Sequence, residues 1–274
     1  MTSPGLAVNL QDMENINIGF IGAGNMASAL IGGLCKSGFP GERLYVSDLD
    51  PDKLQPLVKT FNLHSSPNNQ ALIEQCQVIV LAVKPQVMKD VISELQTGND
   101  DRLYLSIAAG IRTDHLRDWF ARDVALVRAM PNTPALVQTG ASGLFANQFV
   151  SGEQKAIAQN ILAAVGLALW VKEESQLDAV TALSGSGPAY FFYMMEAMEA
   201  AGKQLGLDSE TVHALTVQTA LGAAKLAQTA TEDPAQLRRR VTSPGGTTEA
   251  AINYMQSENS LNIIKQAVLE AERR

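Results

Sequence analysis

The stretch that decides the fold is residues 16–27, which read Ile-Asn-Ile-Gly-Phe-Ile-Gly-Ala-Gly-Asn-Met-Ala. A short β-branched run leads into a glycine turn, and an apolar segment with helical periodicity follows it. In such a strand, turn and helix, Gly22 makes the tight turn, Gly24 lets a pyrophosphate approach the backbone, and Ala27 packs the helix against the strand. We therefore expect a dinucleotide to contact the residues of this turn, which are Gly22, Ala23, Gly24, Asn25 and Met26.

Polar residues at the end of the next strand suit the adenosine half of such a cofactor. The second strand is predicted at residues 43–47, and Ser47 and Asp48 lie at its carboxyl end. An acidic residue about 20 positions after the glycine turn binds ribose hydroxyls, so Asp48 favours NADH, whereas Ser47 could serve the 2′-phosphate of NADPH. Asn69, predicted to cap the helix before the third main strand, faces the same region. The choice between NADPH and NADH stays open.

Two later strand ends complete the predicted cofactor edge. Residues 78–83 and 103–108 are continuous apolar runs, typical of parallel strands covered on both faces. Their carboxyl ends should lie at one edge of the sheet, where ligands of open α/β folds bind. Small residues there leave space for a flat ring, and we expect cofactor contacts from Ala82, Val83, Lys84, Pro85, Ala108 and Ala109.

The rest of the chain separates strands from helices. Further strands are predicted at residues 124–129, 139–146 and 167–171, whereas the chain beyond them has helical periodicity only. We expect a flexible N-terminal extension at 1–14, a dinucleotide-binding domain at 15–172 and a helical domain at 173–274. Several of the last helices are apolar on most faces, which predicts a homodimer through that domain. The predicted class is α/β, a Rossmann-type, doubly wound, mainly parallel sheet followed by an all-α dimerisation domain.

Composition limits the partners. The 274 residues carry 28 Asp and Glu against 21 Lys and Arg, a net charge of −7, so no broad basic surface for nucleic acid is expected. No stretch is long and apolar enough to cross a membrane, and residues 1–11 lack the features of a secretory signal. The two cysteines, Cys35 and Cys76, fit a reducing compartment, so we expect a cytoplasmic protein. The three histidines lack metal-ligand spacing, and no metal is expected.

A second unusual stretch, residues 241–252, reads Val-Thr-Ser-Pro-Gly-Gly-Thr-Thr-Glu-Ala-Ala-Ile. Pro244 fixes one φ angle and the two glycines after it permit a sharp turn, so backbone N–H groups can converge at the start of a helix. Such a turn suits a small carboxylate. An ordinary helix cap by Ser243 or Thr247 is the alternative, and the stretch alone leaves both open.

Four motifs behind the glycine turn together resemble the pyrroline-5-carboxylate reductases. They are residues 82–85 (Ala-Val-Lys-Pro), 128–134 (Arg-Ala-Met-Pro-Asn-Thr-Pro), 183–190 (Leu-Ser-Gly-Ser-Gly-Pro-Ala-Tyr) and 241–248. The similarity runs from about Ile16 to the C-terminus. It implies an enzyme that reduces 1-pyrroline-5-carboxylate to proline with NADPH or NADH, the final step of proline biosynthesis. It also implies a homodimer, commonly within a decamer of five dimers.

The resemblance implies roles for individual residues of the last motif. The Ser243 hydroxyl and the backbone amides of Gly246, Thr247 and Thr248 would bind the substrate carboxylate. The Thr248 hydroxyl would also bond the ring nitrogen, which makes Thr248 the catalytic residue. Reduction of a cyclic imine needs a hydride at carbon and a proton at nitrogen, and neither step requires a metal or a covalent nucleophile.

One position departs from the family, and several acids stay unassigned. The family often has a glutamate where Thr231 stands, and whether Glu232 substitutes for it is open. Glu173 and Glu174, near the predicted domain boundary, fit a solvated linker and a substrate contact equally well.

Two other functions remain as alternatives. The β-hydroxyacid dehydrogenases and related imine reductases share the glycine turn and the helical domain. Dehydrogenation of an alcohol in that class needs a lysine soon after a glycine pair, which here ends at Gly187, whereas the first lysine on the helix that follows is Lys203. A non-catalytic, dinucleotide-sensing dimer would require the 241–248 motif to be a helix cap only.

Overall fold

The computed structural model describes residues 9–13, 15–98 and 101–273. Within them the chain divides into two compact units, one that ends at Gly185 and one that begins at Ser186. The division comes later than the boundary predicted at residues 172–173, because the helix after the last strand packs onto the sheet. In that helix, Leu177 is fully buried, and a Cβ added to Gly143 of the sheet would lie 3.2 Å from its side chain.

Eight strands of the described residues form one sheet in the order β3-β2-β1-β4-β5-β6-β7-β8. Their bounds are β1 Ile18–Ile21, β2 Leu44–Ser47, β3 His64–Ser65, β4 Val78–Leu81, β5 Leu103–Ser106, β6 Ala125–Met130, β7 Gly140–Ala146 and β8 Gly166–Trp170. Only β6 and β7 pair antiparallel; the other neighbours are parallel. The two-residue β3 was not predicted, since so short a strand has no readable period.

Helices cover both faces of the sheet. They are α1 Asn25–Lys36, α2 Pro51–Phe61, α3 Asn69–Gln75, α4 Pro85–Ser93, α5 Thr113–Phe120, α6 Gly152–Ala163 and α7 Gln176–Val180. One apolar core lies between the sheet and α1, α2 and α6, and a second lies between the sheet and α3, α4 and α5. Both faces of the parallel strands are therefore buried, as their continuous apolar runs indicated. The predicted doubly wound, mainly parallel α/β fold is confirmed.

Part of the predicted N-terminal extension has a defined structure. Residues 1–8 and 14 lie outside the described residues. Leu10–Met13 forms a 3-10 helix, in which Met13 is fully buried. Asn9 and Asn160 of α6 also bond each other through backbone and side chain, at 3.1 and 3.2 Å. An apolar side chain and a polar pair thus connect residues 9–13 to the first core.

The second unit is helical throughout its described residues. Its helices are α8 Gly187–Gln204, α9 Ser209–Thr229, α10 Pro234–Arg240, α11 Thr247–Ser257 and α12 Ser260–Glu272. Large apolar side chains of this unit remain exposed in the single chain, for example Phe191 at 65%, Tyr193 at 77% and Leu261 at 73%. Exposed apolar side chains in this number are typical of an oligomerisation surface. No helix among the described residues has the length and apolar character needed to cross a membrane.

Candidate active site

The glycine turn lies at the centre of the sheet, where the strand order reverses. Because β1 lies between β2 and β4, this is the switch point at which open α/β folds bind ligands. Gly22 has φ 100°, and a Cβ there would lie 2.8 Å from the carbonyl oxygen of Ala82. A Cβ on Gly24 would meet nothing within 4 Å. Gly22 is therefore required by the turn, whereas Gly24 leaves open space for an approaching group.

The N-terminus of α1 offers unpartnered donors beside that space. Gly24 is the N-cap residue, and no side chain caps the helix. Ser28 N–H begins the intrahelical series by donating to Gly24 O, and within the described residues no acceptor meets the N–H groups of Asn25, Met26 and Ala27. Three open N–H groups at the positive end of a helix suit a pyrophosphate, and the space beside Gly24 is free for it. The residues of the turn thus fit a dinucleotide.

Ser47 and Asn69 are brought together at the end of β2. The Ser47 hydroxyl donates to Asn69 Oδ1 at 2.8 Å, so the side-chain NH₂ of Asn69 keeps its donors for another group. The predicted helix cap is displaced by one residue. The side chain of Asn68 accepts from Ala71 N–H at 2.8 Å, and Asn69 is the first residue of α3. Adjacent asparagines cap equally well by type, so sequence could not separate them.

Asp48 is fixed by backbone donors. Oδ2 accepts from Ala23 N–H at 2.7 Å and Oδ1 accepts from Asp50 N–H at 2.9 Å. Lys53 lies 3.8 Å from the same carboxylate. Charge-assisted bonds of this kind are short and strong. The carboxylate is therefore held against the glycine turn, at the strand end where the adenosine ribose was expected.

The remaining predicted cofactor residues line the same edge. Ile21 pairs in register with Ser47 and Leu81, and Leu81 pairs with Ser106, so four strands end in one row. The segment of Ala82 and Val83 follows one end, and the segment of Ala108 and Ala109 follows the next. Lys84 is exposed and is the N-cap residue of α4, and Pro85 is its first residue.

A buried ion pair joins this edge to α7, and sequence reasoning missed it. Glu174, 9% exposed, accepts from the Thr113 N–H and hydroxyl, both at 2.7 Å, and from Arg128 Nη1 at 3.2 Å. Arg128, 3% exposed, also reaches Asp178 at 3.5 Å. Thr113 begins α5, directly after the loop at the end of β5, so Glu174 caps that helix from a distance. Glu174 is a buried structural acid in this unit and not a solvated linker residue.

The motif at 128–134 is tied to the one that begins at residue 183. Asn132 Nδ2 donates to Ser184 O at 2.9 Å, and Asn132 Oδ1 accepts from Ala141 N–H at 2.9 Å. Residues Thr181–Gly185 form a π-helical turn, a type found often at functional sites. A Cβ on Gly185 would lie 2.9 Å from the Met130 side chain. Ser184 and Gly185 are thus packed against the 128–134 motif within the first unit.

The 241–248 motif forms a turn before α11 in the second unit. Gly246 N–H donates to Ser243 O at 3.0 Å, and Gly245 has φ 73°. With Pro244 second and Gly245 third, these four residues have the sequence preference of a type II turn. Gly246 is the N-cap residue of α11 and no side chain caps that helix. The alternative of a cap by Ser243 or Thr247 is therefore not found.

Donors converge where this turn meets α11. Among the described residues, no acceptor meets the N–H groups of Thr247, Thr248 and Glu249, and Ala250 N–H is the first to bond within the helix, to Gly246 O. The side chains of Ser243, Thr247 and Thr248 are exposed. The Gly246 amide, which the resemblance assigned to the substrate, is occupied by the Ser243 carbonyl here. The open amides are shifted one residue along, to 247–249.

Glu232 follows Thr231, the position at which the family often has a glutamate, and it forms an ion pair. Glu232 contacts the guanidinium of Arg240, so the last arginine of the run 238–240 is neutralised locally. Thr231 is exposed. Asp233 caps α10, its side chain accepting from Gln236 N–H at 2.7 Å. No group of three or more His, Cys, Asp or Glu among the described residues is arranged to hold a metal ion.

Two family models match the chain. Residues 174–274 match the pyrroline-5-carboxylate reductase dimerisation family, and residues 17–110 match the family described as NADP oxidoreductase, coenzyme F420-dependent. The first match agrees with the exposed apolar surface of the second unit, and the predicted homodimer is confirmed. The second covers the glycine turn and the strand ends that follow it, as expected for an NAD(P)H-dependent oxidoreductase.

Relatives that match nearly the whole chain include two bacterial pyrroline-5-carboxylate reductases. The pyrroline-5-carboxylate reductase of Pseudomonas aeruginosa is 48% identical over 263 residues, 96% of each chain, and that of Haemophilus influenzae is 43% identical over 93% of this chain and 95% of its own. Among solved structures, the Coxiella burnetii pyrroline-5-carboxylate reductase superposes with a TM-score of 0.91 at 43% identity, covering 94% of this chain and 97% of its own.

More distant structures share the fold. A Plasmodium falciparum pyrroline carboxylate reductase with NADP bound superposes with a TM-score of 0.84 at 29% identity, covering 95% of this chain and 97% of its own. A reductive aminase from Aspergillus terreus reaches 0.58 at 16% identity, covering 93% of this chain and 87% of its own, which shows the fold alone. The resemblance seen in four motifs extends over nearly the whole chain. The chain belongs to the pyrroline-5-carboxylate reductase family.

Proposed function

We propose that the chain reduces 1-pyrroline-5-carboxylate to proline with NAD(P)H, and that its two units divide the binding work. The first unit holds the dinucleotide and the second holds the substrate carboxylate. The observation that carries this proposal is that, among the described residues, each unit has one helix whose first three N–H groups meet no acceptor. These helices are α1 and α11, and each follows a glycine-containing turn. Each such end suits an anion.

The cofactor residues follow from the first unit. The amides of Asn25 and Met26 bind the pyrophosphate, which approaches over Gly24 in the turn that Gly22 and Ala23 begin. The Asn69 NH₂ group donates to the adenosine ribose, oriented by Ser47. The segments that follow β4 and β5 receive the nicotinamide, with contacts from Ala82, Val83, Lys84, Pro85, Ala108 and Ala109. When bound, the dinucleotide supplies the hydride.

The substrate residues follow from the second unit. The Ser243 hydroxyl and the amides of Thr247 and Thr248 bind the carboxylate, while Gly246 shapes the turn through its bond to Ser243. The Thr248 hydroxyl hydrogen-bonds the ring nitrogen, donating to the neutral imine and accepting from the N–H of the protonated one. Its ordinary acidity is weak, so it positions the imine and relays a proton from solvent. A protonated imine is already an electrophile, and holding it in the right orientation provides most of the catalysis.

Assembly, partner and location are proposed as follows. A decamer of five dimers is proposed from the family resemblance, and the exposed apolar helices of the second unit leave surface for such assembly. The net charge of −7 supports a small-molecule partner in place of a nucleic acid. Cys35 and Cys76 are both free thiols, which supports a cytoplasmic location.

Initial rates test the function and the assignment of Thr248. The wild type should oxidise NADH or NADPH with pyrroline-5-carboxylate, and it should not reduce NAD⁺ or NADP⁺ with a β-hydroxyacid. Thr248→Ala should lower kcat by about 30- to 150-fold, about 2–3 kcal/mol at the barrier, with NAD(P)H binding nearly unchanged. Thr248→Ser keeps the hydroxyl and should recover most of the rate. An unchanged kcat in Thr248→Ala contradicts the assignment, and cofactor binding without turnover of the wild type supports a sensing dimer instead.

A further inference from the structure

Glu249 is the third residue of α11, and its side chain turns back to the loop before the helix. Its Oε2 accepts a hydrogen bond from Gly245 N–H at 2.8 Å. Gly245 is the residue with φ 73°, in the middle of the turn formed by residues 243–246. The contact therefore joins the first turn of the helix to the centre of the loop.

The turn has few other restraints. Gly246 N–H bonds Ser243 O within the turn itself, and the Thr242 hydroxyl donates to Arg238 O at 2.7 Å just before it. Gly245 is exposed, and a Cβ added to it would meet nothing within 4 Å in the described chain. Glu249 thus supplies the side-chain contact that ties the turn to the helix whose amides are open.

A carboxylate here also carries an electrostatic penalty. A negative charge in the first turn of α11 repels a second carboxylate bound at the same helix end. Helix N-termini favour acidic residues, which accounts for a stabilising effect but not for the direction of this side chain. The described contacts of Glu249 lead to Gly245 and none leads to the amides of Thr247 or Thr248. The carboxylate leaves those donors open and orders the loop beside them.

We propose that Glu249 is a positioning residue for substrate binding. By holding Gly245, it keeps the 243–246 turn, and with it the Ser243 hydroxyl, in place beside the open amides of α11. The inference rests on the proposed function, because it takes those groups as the carboxylate site. Glu249 touches neither the reacting atoms nor the cofactor.

Three variants separate the hydrogen bond from the charge. Glu249→Ala removes the acceptor and should raise KM for pyrroline-5-carboxylate about tenfold, with kcat within about twofold and KM for NAD(P)H unchanged, as loss of uniform substrate binding requires. Glu249→Gln keeps an acceptor oxygen and should stay within about threefold of wild-type KM. Glu249→Asp keeps the charge but is one methylene too short, so it should resemble Glu249→Ala.

The controls distinguish a positioning role of Glu249 from a general effect on folding or dimerisation. Glu258→Gln removes an exposed acid at the other end of α11 and should leave both KM values unchanged. Dimer content by sedimentation is measured for every variant. A KM of Glu249→Ala that equals or falls below the wild type overturns the inference, as does a Glu249→Gln variant as impaired as Glu249→Ala.

The remaining outcomes are also decisive. If Glu249→Ala fails to dimerise, the comparison of Glu249→Gln with Glu249→Asp decides, and equal KM values in these two overturn the inference. A wild type that binds NAD(P)H without turning over pyrroline-5-carboxylate overturns the proposed function and this inference together. If the wild type is active and Glu249→Ala has the same KM for pyrroline-5-carboxylate, this inference alone is overturned.

Discussion

Replacing Glu174 by alanine should destabilise the first unit without acting on the chemistry. The carboxylate accepts three hydrogen bonds, two from Thr113 and one from Arg128, and both charged partners are nearly buried. Removing one partner of a buried ion pair costs about 3–5 kcal/mol, because the other charge is left without compensation. Arg128 keeps Asp178 at 3.5 Å, and that carboxylate is half-exposed. We therefore expect the lower end of the range, about 3 kcal/mol.

The assay is thermal unfolding at one fixed protein concentration, since a dimer's melting temperature depends on concentration. For a unit of 150–250 residues, each kcal/mol shifts Tm by about 2–4 °C, so Glu174→Ala should melt about 6–12 °C below the wild type. Glu173→Ala is the matched control, because its side chain is exposed and the adjacent position is the same residue type. It should stay within about 2 °C of the wild type.

Two results would refute this reasoning. A Tm for Glu174→Ala as close to the wild type as that of Glu173→Ala would mean that the buried network contributes little. A loss of kcat with an unchanged Tm would mean that Glu174 contacts the substrate in the assembled enzyme.

The remaining predictions concern coenzyme choice and pH. Asp48→Asn keeps an acceptor for the Ala23 amide but removes a fixed negative charge, so kcat/KM for NADPH relative to NADH should rise about tenfold; an unchanged ratio in initial rates contradicts this placement of the charge. Burial raises the pKa of the Cys76 thiol from 9.0 to about 12, against a smaller lowering effect of Arg102. The unfolded chain then loses this proton first, so stability should fall from pH 9 upward by as much as about 1.4 kcal/mol per unit. Cys76→Ala should flatten that slope in denaturant titrations, and an identical slope argues against the shift.

The fold could be predicted from sequence where a pattern repeats within a few residues. The apolar runs of β4 and β5, the strand, turn and helix at residues 18–36, and Asp50 with Pro51 at the start of α2 all act locally. The two-residue β3 has no pattern of its own and forms because β2 offers an edge to pair with. The division after Gly185 could not be predicted from sequence either, because it depends on the packing of Leu177 onto the sheet.

The candidate site shows the same limit more sharply. Glycine turns can be predicted from sequence, since Gly22 and Gly245 adopt positive φ values that favour glycine. Acidic side chains do not, because a carboxylate has no preferred partner at a fixed sequence spacing. Glu173 and Glu174 are the same residue type in adjacent positions, yet one is exposed and the other accepts three bonds from residues 46 and 61 positions away. Glu249 differs in kind, since its bond to Gly245 spans one helical turn. That spacing could have been read as a reach back from the helix to the loop, as in a capping box displaced by one residue. The contact of Glu249 with Gly245 can be predicted from sequence once the turn is known. The Glu249→Gln variant therefore tests whether this local contact also affects the affinity of the α11 N-terminus for the substrate carboxylate.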